Sequence, residues 1–276
     1  MTGLVEHYAA DGYFFPLDVL DPEQARTLGE ELLAIRNDPR FVGLGNNDQF
    51  NHPQLLSRAA ADLVRHPVLL EVAESLLGPD LLVWGATLFA KPPHSGNYVS
   101  WHQDLHYWGF DCDDEVSAWV ALGPVTEASG CMRFARGSHV VGGIEYNDTF
   151  APGNSLTRGQ EAMFEVNEDD VVLVELASGQ ASFHHGRLLH GSGPNGTDDW
   201  RLGLAIQYIG AHVRQVATEL DYAMPVRGVD RFHNFAHVSA PDVDLSPESL
   251  AWHRRVMLAQ NDAIYESTED VDGAVR

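Results

Sequence analysis

The segment 101–110, WHQDLHYWGF, holds two histidines and an aspartate among four large aromatic residues. If this segment is a strand or the end of a strand, its side chains alternate between two faces. His102 and Asp104 then point the same way, while Gln103 points the other way. An imidazole and a carboxylate on one face supply two ligands of a 2-His-1-carboxylate site, a geometry that suits non-haem Fe(II). His-x-Asp alone is weak evidence, and a third ligand must come from elsewhere.

A third ligand is available at His190, which directly precedes the turn-forming residues 191–195, GSGPN. After this turn, Arg201 opens the alternating run 202–208. A hairpin would fold Arg201 back beside the strand that carries His190, and the planar guanidinium group of arginine binds carboxylates through two parallel hydrogen bonds. Taken alone, this pair is better explained as a loop histidine and a surface arginine. Combined with the first two ligands, it predicts a metal site beside a carboxylate clamp.

The rest of the chain predicts helices at its two ends and strands between them. Asp21 as N-cap and Gln24 in the capping-box position begin one helix, and a second is predicted at 67–77. Helical spacing returns at 247–264, and the long polar stretch 142–162 predicts a surface loop. Short apolar or alternating runs lie at 81–90, 116–123, 131–135, 171–176, 181–185 and 202–210. Short strands without intervening helices predict an antiparallel sandwich or barrel.

The composition narrows the classes of partner. The formal net charge of −23 would repel phosphate backbones and anionic lipid headgroups, so nucleic acid and membrane surfaces are poor candidates. The sequence has no apolar run of about 18 residues and no pattern of a signal peptide, and it has only two cysteines. These features predict a cytoplasmic protein. They do not predict an oligomeric state.

The chain resembles the phytanoyl-CoA dioxygenase family of Fe(II)/2-oxoglutarate oxygenases over roughly residues 10–210. The resemblance lies in 91-KPPHSG-96, 101-WHQDLHYWGF-110, 118-AWVAL-122, 129-SGCMRFARGSH-139 and 190-HGSGPN-195 with Arg201. It implies a mainly β fold with flanking helices, a cupin-like double-stranded β-helix or distorted jelly roll. A single domain is therefore expected over 1–276. Its helical part would end near residue 80, its jelly-roll core would cover about 81–215, and an extension would cover about 216–276.

The resemblance also implies a role for two groups of residues. The expected Fe(II) ligands are His102, Asp104 and His190. The expected 2-oxoglutarate residues are Arg201, Ser192, Trp119, Gln49 and Thr87. Arg201 would clamp the distal carboxylate of 2-oxoglutarate, with Ser192 hydrogen-bonded to the same group. A lysine that some members use has no obvious counterpart here, so Gln49 is the weakest of these assignments.

Four further residues are candidate substrate contacts. His106 and Tyr107 follow the first ligand pair closely. His184 precedes His190 on the same predicted strand, and alternation turns either His184 or its neighbour His185 inward. Arg136 is one of the few cations near a predicted strand and would suit an anionic substrate group, although a surface arginine is the default.

The resemblance implies that 2-oxoglutarate and O2 are consumed, that succinate and CO2 are released, and that an unactivated C–H bond is hydroxylated. Asp104 favours hydroxylation, because related halogenases carry a small residue at this ligand position. A small polar metabolite or natural-product intermediate is the preferred substrate, since the phosphates of a CoA ester usually require a basic rim. Hydroxylation of an acyl-CoA, as in other members of the family, is the alternative.

Two other classes of protein share part of this pattern. A metal-dependent hydrolase or isomerase on a cupin-like barrel would use the same three ligands to hold zinc, but it has no need of an arginine clamp. A non-catalytic jelly-roll binding module would bind no metal. Succinate formation and metal analysis distinguish these alternatives from an oxygenase.

Overall fold

The computed structural model describes residues 2–41, 48–156 and 158–269. Its helices are α1 (Thr2–Asp11), α2 (Pro22–Arg36), α3 (Arg58–Leu63), α4 (Pro67–Leu77) and α5 (Pro247–Glu269). Its strands are β1 (Tyr13–Asp18), β2 (Gln49–Asn51), β3 (Leu81–Lys91), β4 (Val99–His102), β5 (Glu115–Ala121), β6 (Met132–Ala135), β7 (Tyr146–Asp148), β8 (Gln160–Ala162), β9 (Val171–Val174), β10 (Gln180–His184), β11 (His190–Ser192), β12 (Arg201–Gly210), β13 (Tyr222–Arg227) and β14 (Ala236–His237). The predicted mainly β fold with flanking helices is confirmed.

The start of α2 follows the local sequence as predicted. The side chain of Asp21 accepts hydrogen bonds from the backbone N–H groups of Glu23 and Gln24, and the side chain of Gln24 accepts from the Asp21 N–H at 3.0 Å. This capping box satisfies donors that the first helical turn leaves without partners. Helix α4 begins at Pro67 and ends at Leu77, also as predicted. None of the helices that the structure describes is both long and apolar enough to span a membrane.

Eight strands, from β3 to β12 without β7 and β8, form two sheets of a jelly roll. The larger sheet contains the order β10-β5-β12-β3, and the smaller sheet has the order β4-β11-β6-β9. Successive strands lie in opposite sheets at every step except from β6 to β9. This alternation winds the chain as a double-stranded β-helix, so the predicted jelly roll is confirmed. Strands β1, β2, β13 and β14 extend the larger sheet, while β7 and β8 form a separate pair.

The chain divides into two compact units, each with its own buried cluster. The first consists of Met1–Asn51, Thr87–Gln103 and Ser117–Ala205, and the second of His52–Ala86, Asp104–Val116 and Ile206–Arg276. In the first unit, Trp119 of β5 belongs to the same cluster as Phe134 of β6 and Val174 of β9, so side chains of both sheets meet in one core. In the second unit, Trp84 and Trp108 belong to the buried cluster. The expectation of a single domain over 1–276 stays a prediction.

Two local expectations were wrong. Strands β11 and β12 do not form a hairpin, because β11 pairs with β4 and β6 in the smaller sheet while β12 lies in the larger one. Residues 193–200 therefore connect two different sheets. The stretch 142–162, expected as a loop, contains the antiparallel pair β7 and β8. It is attached to β4 because Asn154 donates to the Ser100 hydroxyl at 2.9 Å and that hydroxyl donates to the carbonyl of Gln160.

Candidate active site

Three predicted metal ligands come together at the ends of β4 and β11. His102 is the last residue of β4 and lies opposite His190, the first residue of β11. The two imidazole rings are 4.1 Å apart between centroids, and both side chains are buried. His102, Asp104 and His190 each offer a ligand atom, and these atoms all lie within 4.8 Å of one another. The structure thus assembles two imidazoles and one carboxylate, as the sequence predicts.

Hydrogen bonds to backbone carbonyls fix the ring orientation of both histidines. Nδ1 of His102 lies 2.9 Å from the carbonyl oxygen of Ser100, and Nδ1 of His190 lies 3.0 Å from that of Leu188. A carbonyl oxygen can only accept, so each Nδ1 carries the proton and the lone pair sits on Nε2. Metal-binding histidines use this arrangement to fix the tautomer and raise the basicity of the ligand. The donor set therefore fits a divalent transition metal such as Fe(II).

Asp104 reaches the site by a different route from the one predicted. Strand β4 ends at His102, and Asp104 opens a short 3₁₀ turn that ends at His106. Strand alternation therefore does not extend to Asp104, and the turn of the chain brings the carboxylate to the two imidazoles. His102 and Asp104 lie close together as predicted, but a 3₁₀ turn rather than strand alternation brings them together.

Gln103, which lies between His102 and Asp104 in the sequence, is buried. Its hydrogen bonds hold this turn on the side away from the predicted metal site. Its side-chain amide donates to the carbonyl oxygens of Gly142 at 3.0 Å and Arg187 at 2.7 Å. Its backbone N–H donates to the hydroxyl of Tyr146 at 2.7 Å. Residues from the 142–162 stretch thus hold the backbone between His102 and Asp104. The side chain of Gln103 itself is engaged with carbonyl groups, which agrees with its predicted orientation.

Arg201 lies at the start of β12 as a buried cation. It is 2% exposed, and burial lowers the pKa of its guanidinium to about 10, so it remains charged at neutral pH. Nη2 donates to the carbonyl oxygen of Gly130 at 3.1 Å, and the guanidinium carbon lies 5.4 Å from the ring centroid of Trp119. Nε is buried without a hydrogen-bond partner among the described residues. A buried guanidinium with an unused donor is suited to receive a carboxylate.

The turn that holds Arg201 requires glycine at position 130. Gly130 has φ of +73°, and a Cβ at this position would lie 2.3 Å from the carbonyl oxygen of Gly193. Its carbonyl group accepts the hydrogen bond from Arg201, so the turn is pinned between β12 and the segment that follows β11. A side chain here would disturb both contacts.

Lys91 is a site residue that the sequence reasoning missed. It is 1% exposed at the end of β3, and its Nζ donates to the Ser192 hydroxyl at 2.8 Å and to the Gly193 carbonyl at 2.6 Å. Burial, and secondly the charge of Arg201, lower its pKa to about 6. Lys91 is the only lysine in the chain and belongs to the KPPHSG motif. A lone lysine within a recognised motif was the signal that could have identified it.

The charges around Lys91 and Arg201 leave this region positive when both are protonated. Asp48 is the carboxylate that raises the pKa of both side chains. Its two oxygens are already engaged, one by the Asn97 amide at 3.0 Å and the other by the Ser155 hydroxyl at 2.9 Å. When Lys91 is protonated, two buried cations face one carboxylate among the described residues, and this favours the binding of a further anion because an uncompensated buried charge is costly.

Trp119 lies against β12 at a position where the sequence has glycine. A Cβ built on Gly203 would lie 1.9 Å from the indole ring. Gly203 is two residues beyond Arg201 on the same strand, so both face the same side of the sheet. The absence of a side chain at 203 therefore lets the indole lie flat beside the guanidinium group.

Replacing Gly203 by alanine is expected to displace the indole and lower the free energy of unfolding by about 1–3 kcal/mol, the usual cost of overpacking a core. Because Trp119 also contacts Arg201, the affinity for 2-oxoglutarate should fall as well. Chemical denaturation and calorimetry would measure the two effects. Gly123→Ala is the matched control, since a Cβ at Gly123 meets nothing within 4 Å. A Gly203→Ala protein as stable as this control would contradict the packing argument.

The remaining predicted co-substrate residues lie on two paired strands. In the register of β2 with β3, Asn51 is opposite Thr87 and Gln49 is opposite Phe89. Gln49 and Thr87 therefore face the same side of the sheet. The hydroxyl of Thr87 donates to the side-chain oxygen of Asn51 at 3.0 Å. Their predicted co-substrate roles stay predictions.

The predicted substrate contacts differ in burial and in their immediate neighbours. His184 is buried, with its ring 4.7 Å from that of His190. His106 lies in the turn after Asp104 and packs edge-on against Tyr107 at 4.9 Å. Arg136 is exposed and forms an ion pair with Asp170 at 3.2 Å. This surface position gives no support to a substrate role for Arg136, whereas the ring of His184 lies beside that of His190.

Several proteins of known structure resemble this chain. The apo structure of the non-heme monooxygenase ThoJ matches with a TM-score of 0.83 and 33% identity, over 97% of this chain and 99% of that one. SnoN, a non-heme alpha ketoglutarate dependent epimerase from nogalamycin biosynthesis, matches with a TM-score of 0.61 and 26% identity, over 78% of this chain and 82% of SnoN.

Peroxisomal phytanoyl-CoA dioxygenase of Homo sapiens is 33% identical over 152 residues, which are 52% of this chain and 44% of the human protein. The chain thus spans less than half the length of that relative. The family model for phytanoyl-CoA dioxygenase (PhyH) matches residues 8–203, well over half of the chain. The chain therefore belongs to the phytanoyl-CoA dioxygenase (PhyH) family.

Proposed function

We propose that this protein is an Fe(II)/2-oxoglutarate-dependent dioxygenase that hydroxylates an unactivated C–H bond of a small molecule and releases succinate and CO2. The observation that carries the proposal is the 2-His-1-carboxylate set of His102, Asp104 and His190, whose ligand atoms lie within 4.8 Å of one another. Such a set leaves coordination positions for a co-substrate and O2. We treat 1–276 as one catalytic domain.

The three ligands would hold Fe(II), which when bound supplies the activation of O2. The protein residues around the metal would orient its ligands and exclude water from the site. The carbonyl groups of Ser100 and Leu188 hold the two imidazoles in the tautomer that binds a metal. The carboxylate of Asp104 completes the set, and its presence favours hydroxylation over halogenation.

Arg201 would bind the distal carboxylate of 2-oxoglutarate, with the Ser192 hydroxyl as a second donor. Trp119 packs against the guanidinium and shields it from solvent, which strengthens a charge-assisted hydrogen bond. Gln49 and Thr87 would line the same co-substrate site. The buried, positive surroundings of Arg201 support a dianionic co-substrate.

We infer that the substrate is a small polar metabolite or a natural-product intermediate. SnoN, a relative of similar fold, acts in nogalamycin biosynthesis. A CoA ester would require exposed cations for its phosphates, but the single lysine is buried and the net charge is −23. Several exposed arginines already pair with carboxylates, among them Arg26, Arg40, Arg136, Arg214 and Arg231. The charge distribution thus argues against an acyl-CoA.

We place the reaction in the cytoplasm, with neither nucleic acid nor a membrane as partner. The two cysteines, Cys112 and Cys131, form no disulfide, which suits a reducing compartment. Fractionation of cells that express the tagged protein would test this location.

Succinate release tests the proposed function directly. Protein with Fe(II), ascorbate and 2-oxoglutarate in air is expected to release succinate above its uncoupled rate when a natural-product intermediate, amino acid or osmolyte from a panel is the substrate. Phytanoyl-CoA belongs in the same panel, and its efficient turnover would overturn the inferred substrate class. Failure to bind both Fe(II) and 2-oxoglutarate would overturn the proposed reaction itself.

A further inference from the structure

Lys91 occupies an unusual position for a lysine. It is the only lysine among the 17 lysine and arginine residues of the chain, and its side chain is 1% exposed. Lysine is almost never fully buried unless it is paired. Its two hydrogen-bond partners in the described part of the chain are neutral oxygens, those of the Ser192 hydroxyl and the Gly193 carbonyl. The positive charge of a protonated amine in this position, with neutral acceptors and a second cation nearby, is poorly compensated unless an anion binds.

The hydrogen bond to Ser192 determines what that hydroxyl can do. When Lys91 is protonated, its Nζ can only donate, so the Ser192 oxygen accepts a hydrogen from it at 2.8 Å and the hydrogen of Ser192 remains to be donated elsewhere. The Gly193 carbonyl at 2.6 Å fixes Nζ on a second side. Lys91 thus orients Ser192 as a hydrogen-bond donor, which is the role a carboxylate ligand requires.

The charged and titratable groups that act on Lys91 come from several elements. Arg201 and Arg133 disfavour its protonated form, whereas Asp48 and Cys131 favour it. Burial raises the pKa of the Cys131 thiol to about 11, so this group is neutral at physiological pH. Asp48 is then the anion among these four groups that opposes the two arginines. Burial is the largest cause that lowers the pKa of Lys91 to about 6.

We propose that Lys91 is a positioning residue of the 2-oxoglutarate site, which directs the Ser192 hydroxyl toward the distal carboxylate and takes up a proton from solvent when the dicarboxylate binds. This inference rests on the proposed function. Proton uptake converts the amine to an ammonium group, whose positive charge pairs with the negative charge of the bound carboxylate. Before 2-oxoglutarate binds, the amine is neutral, so the protein without co-substrate does not bury this positive charge. A lysine suits this role because its pKa shifts readily on burial, whereas arginine stays charged.

Proton uptake has a defined pH dependence. Above a pKa of about 6, the amine of the protein without co-substrate is mostly neutral. A bound carboxylate raises that pKa, so the complex holds one proton more than the separate components. The Kd for 2-oxoglutarate should therefore rise above about pH 6, by up to about tenfold per pH unit, until the pKa of the complex is passed. In Lys91→Met this rise should be absent, and the KM for 2-oxoglutarate should increase while kcat changes little.

A single lysine allows its protonation to be observed directly. Protein labelled with ¹³C and ¹⁵N in lysine gives one lysine side-chain signal, which is followed against pH in anaerobic protein loaded with diamagnetic Zn(II). We expect a midpoint near pH 6 without 2-oxoglutarate and a midpoint at least one unit higher with it. Arg136→Lys adds a second, exposed lysine as an internal control, and the midpoint of that signal should not respond to 2-oxoglutarate. Calorimetry in two buffers of different ionisation enthalpy should report the same proton uptake.

The outcomes separate this inference from the proposed function. If 2-oxoglutarate binds while the Lys91 midpoint and the Kd of Lys91→Met stay unchanged, the inference is overturned and the proposed function stands. If the wild-type protein does not bind 2-oxoglutarate, both are overturned. In protein that already carries Ser192→Ala, Lys91→Met should raise the Kd for 2-oxoglutarate by a smaller factor than in the wild type, and full additivity of the two substitutions would contradict orientation through Ser192. The labelled wild-type protein keeps the test decisive if Lys91→Met does not fold.

Discussion

Replacing Asp104 by alanine is expected to lower Fe(II) affinity by more than about 100-fold and to abolish turnover. Asp104 supplies the single carboxylate of the ligand set, and its loss leaves two neutral imidazoles to hold a dication. Even the loss of a group that only supports a ligand typically costs about 10- to 100-fold in metal affinity or activity. Metal analysis of anaerobically purified protein and succinate release would measure the two losses.

Gln103→Ala is the matched control, because it removes the neighbouring side chain. Gln103 donates to two carbonyl groups that would be left without this partner, so a loss of stability of about 1–3 kcal/mol is expected. The affinity for Fe(II) should change far less than in Asp104→Ala. If Asp104→Ala retained iron and activity while Gln103→Ala lost them, the assignment of the carboxylate ligand would be wrong.

The sequence predicted the grouping of His102, Asp104 and His190 better than it predicted the strands that carry them. The pairing of His102 with Asp104 was correct, although the strand ends between them. The hairpin between His190 and Arg201 was wrong, because β11 finds its partners in β4 and β6, which are remote in sequence. Local patterns carry turn and face preferences, but they do not state which distant strand will complete a pair.

Other differences between prediction and structure have separate causes. Strand β1 was missed because Pro16 interrupts its pattern, and proline within a run favours an edge strand. Indeed β1 ends the order of the larger sheet. The burial of Lys91 could not be read from its type, because lysine is mostly exposed. The sequence did not indicate why residue 203 is glycine. The reason is the indole of Trp119, which packs where a side chain at 203 would lie.

Replacing Arg201 by methionine is expected to weaken 2-oxoglutarate binding by roughly 30- to 4,000-fold. Truncating one partner of a buried, hydrogen-bonded charge pair costs about 2–5 kcal/mol, and each 1.4 kcal/mol is tenfold in Kd. Arg201→Lys should recover part of the loss, since it keeps a charge but lacks the planar pair of donors. Calorimetry with 2-oxoglutarate on anaerobic, Zn(II)-loaded protein would give Kd without turnover.

Arg136→Met is the control, because this exposed arginine forms only a surface ion pair, whose contribution is about 0–1 kcal/mol. Its Kd for 2-oxoglutarate should match that of the wild type. The two functional losses should also separate: Arg201→Met should keep Fe(II), which Asp104→Ala loses. Unchanged 2-oxoglutarate affinity in Arg201→Met would contradict the clamp and favour a metal-dependent hydrolase.

Arg201→Met also tests how far the buried arginine lowers the stability of the protein before a co-substrate binds. Arg201 is buried, its Nε has no hydrogen-bond partner among the described residues, and burial lowers its pKa. A desolvated cation of this kind destabilises the fold, so an apolar side chain of similar length should leave the protein without co-substrate as stable as the wild type or more so. Saturating 2-oxoglutarate should then raise the melting temperature of the wild type but not that of the variant. Higher stability together with lost binding would identify Arg201 as a group kept for its ligand, whereas a large loss of stability would identify it as part of the structural core.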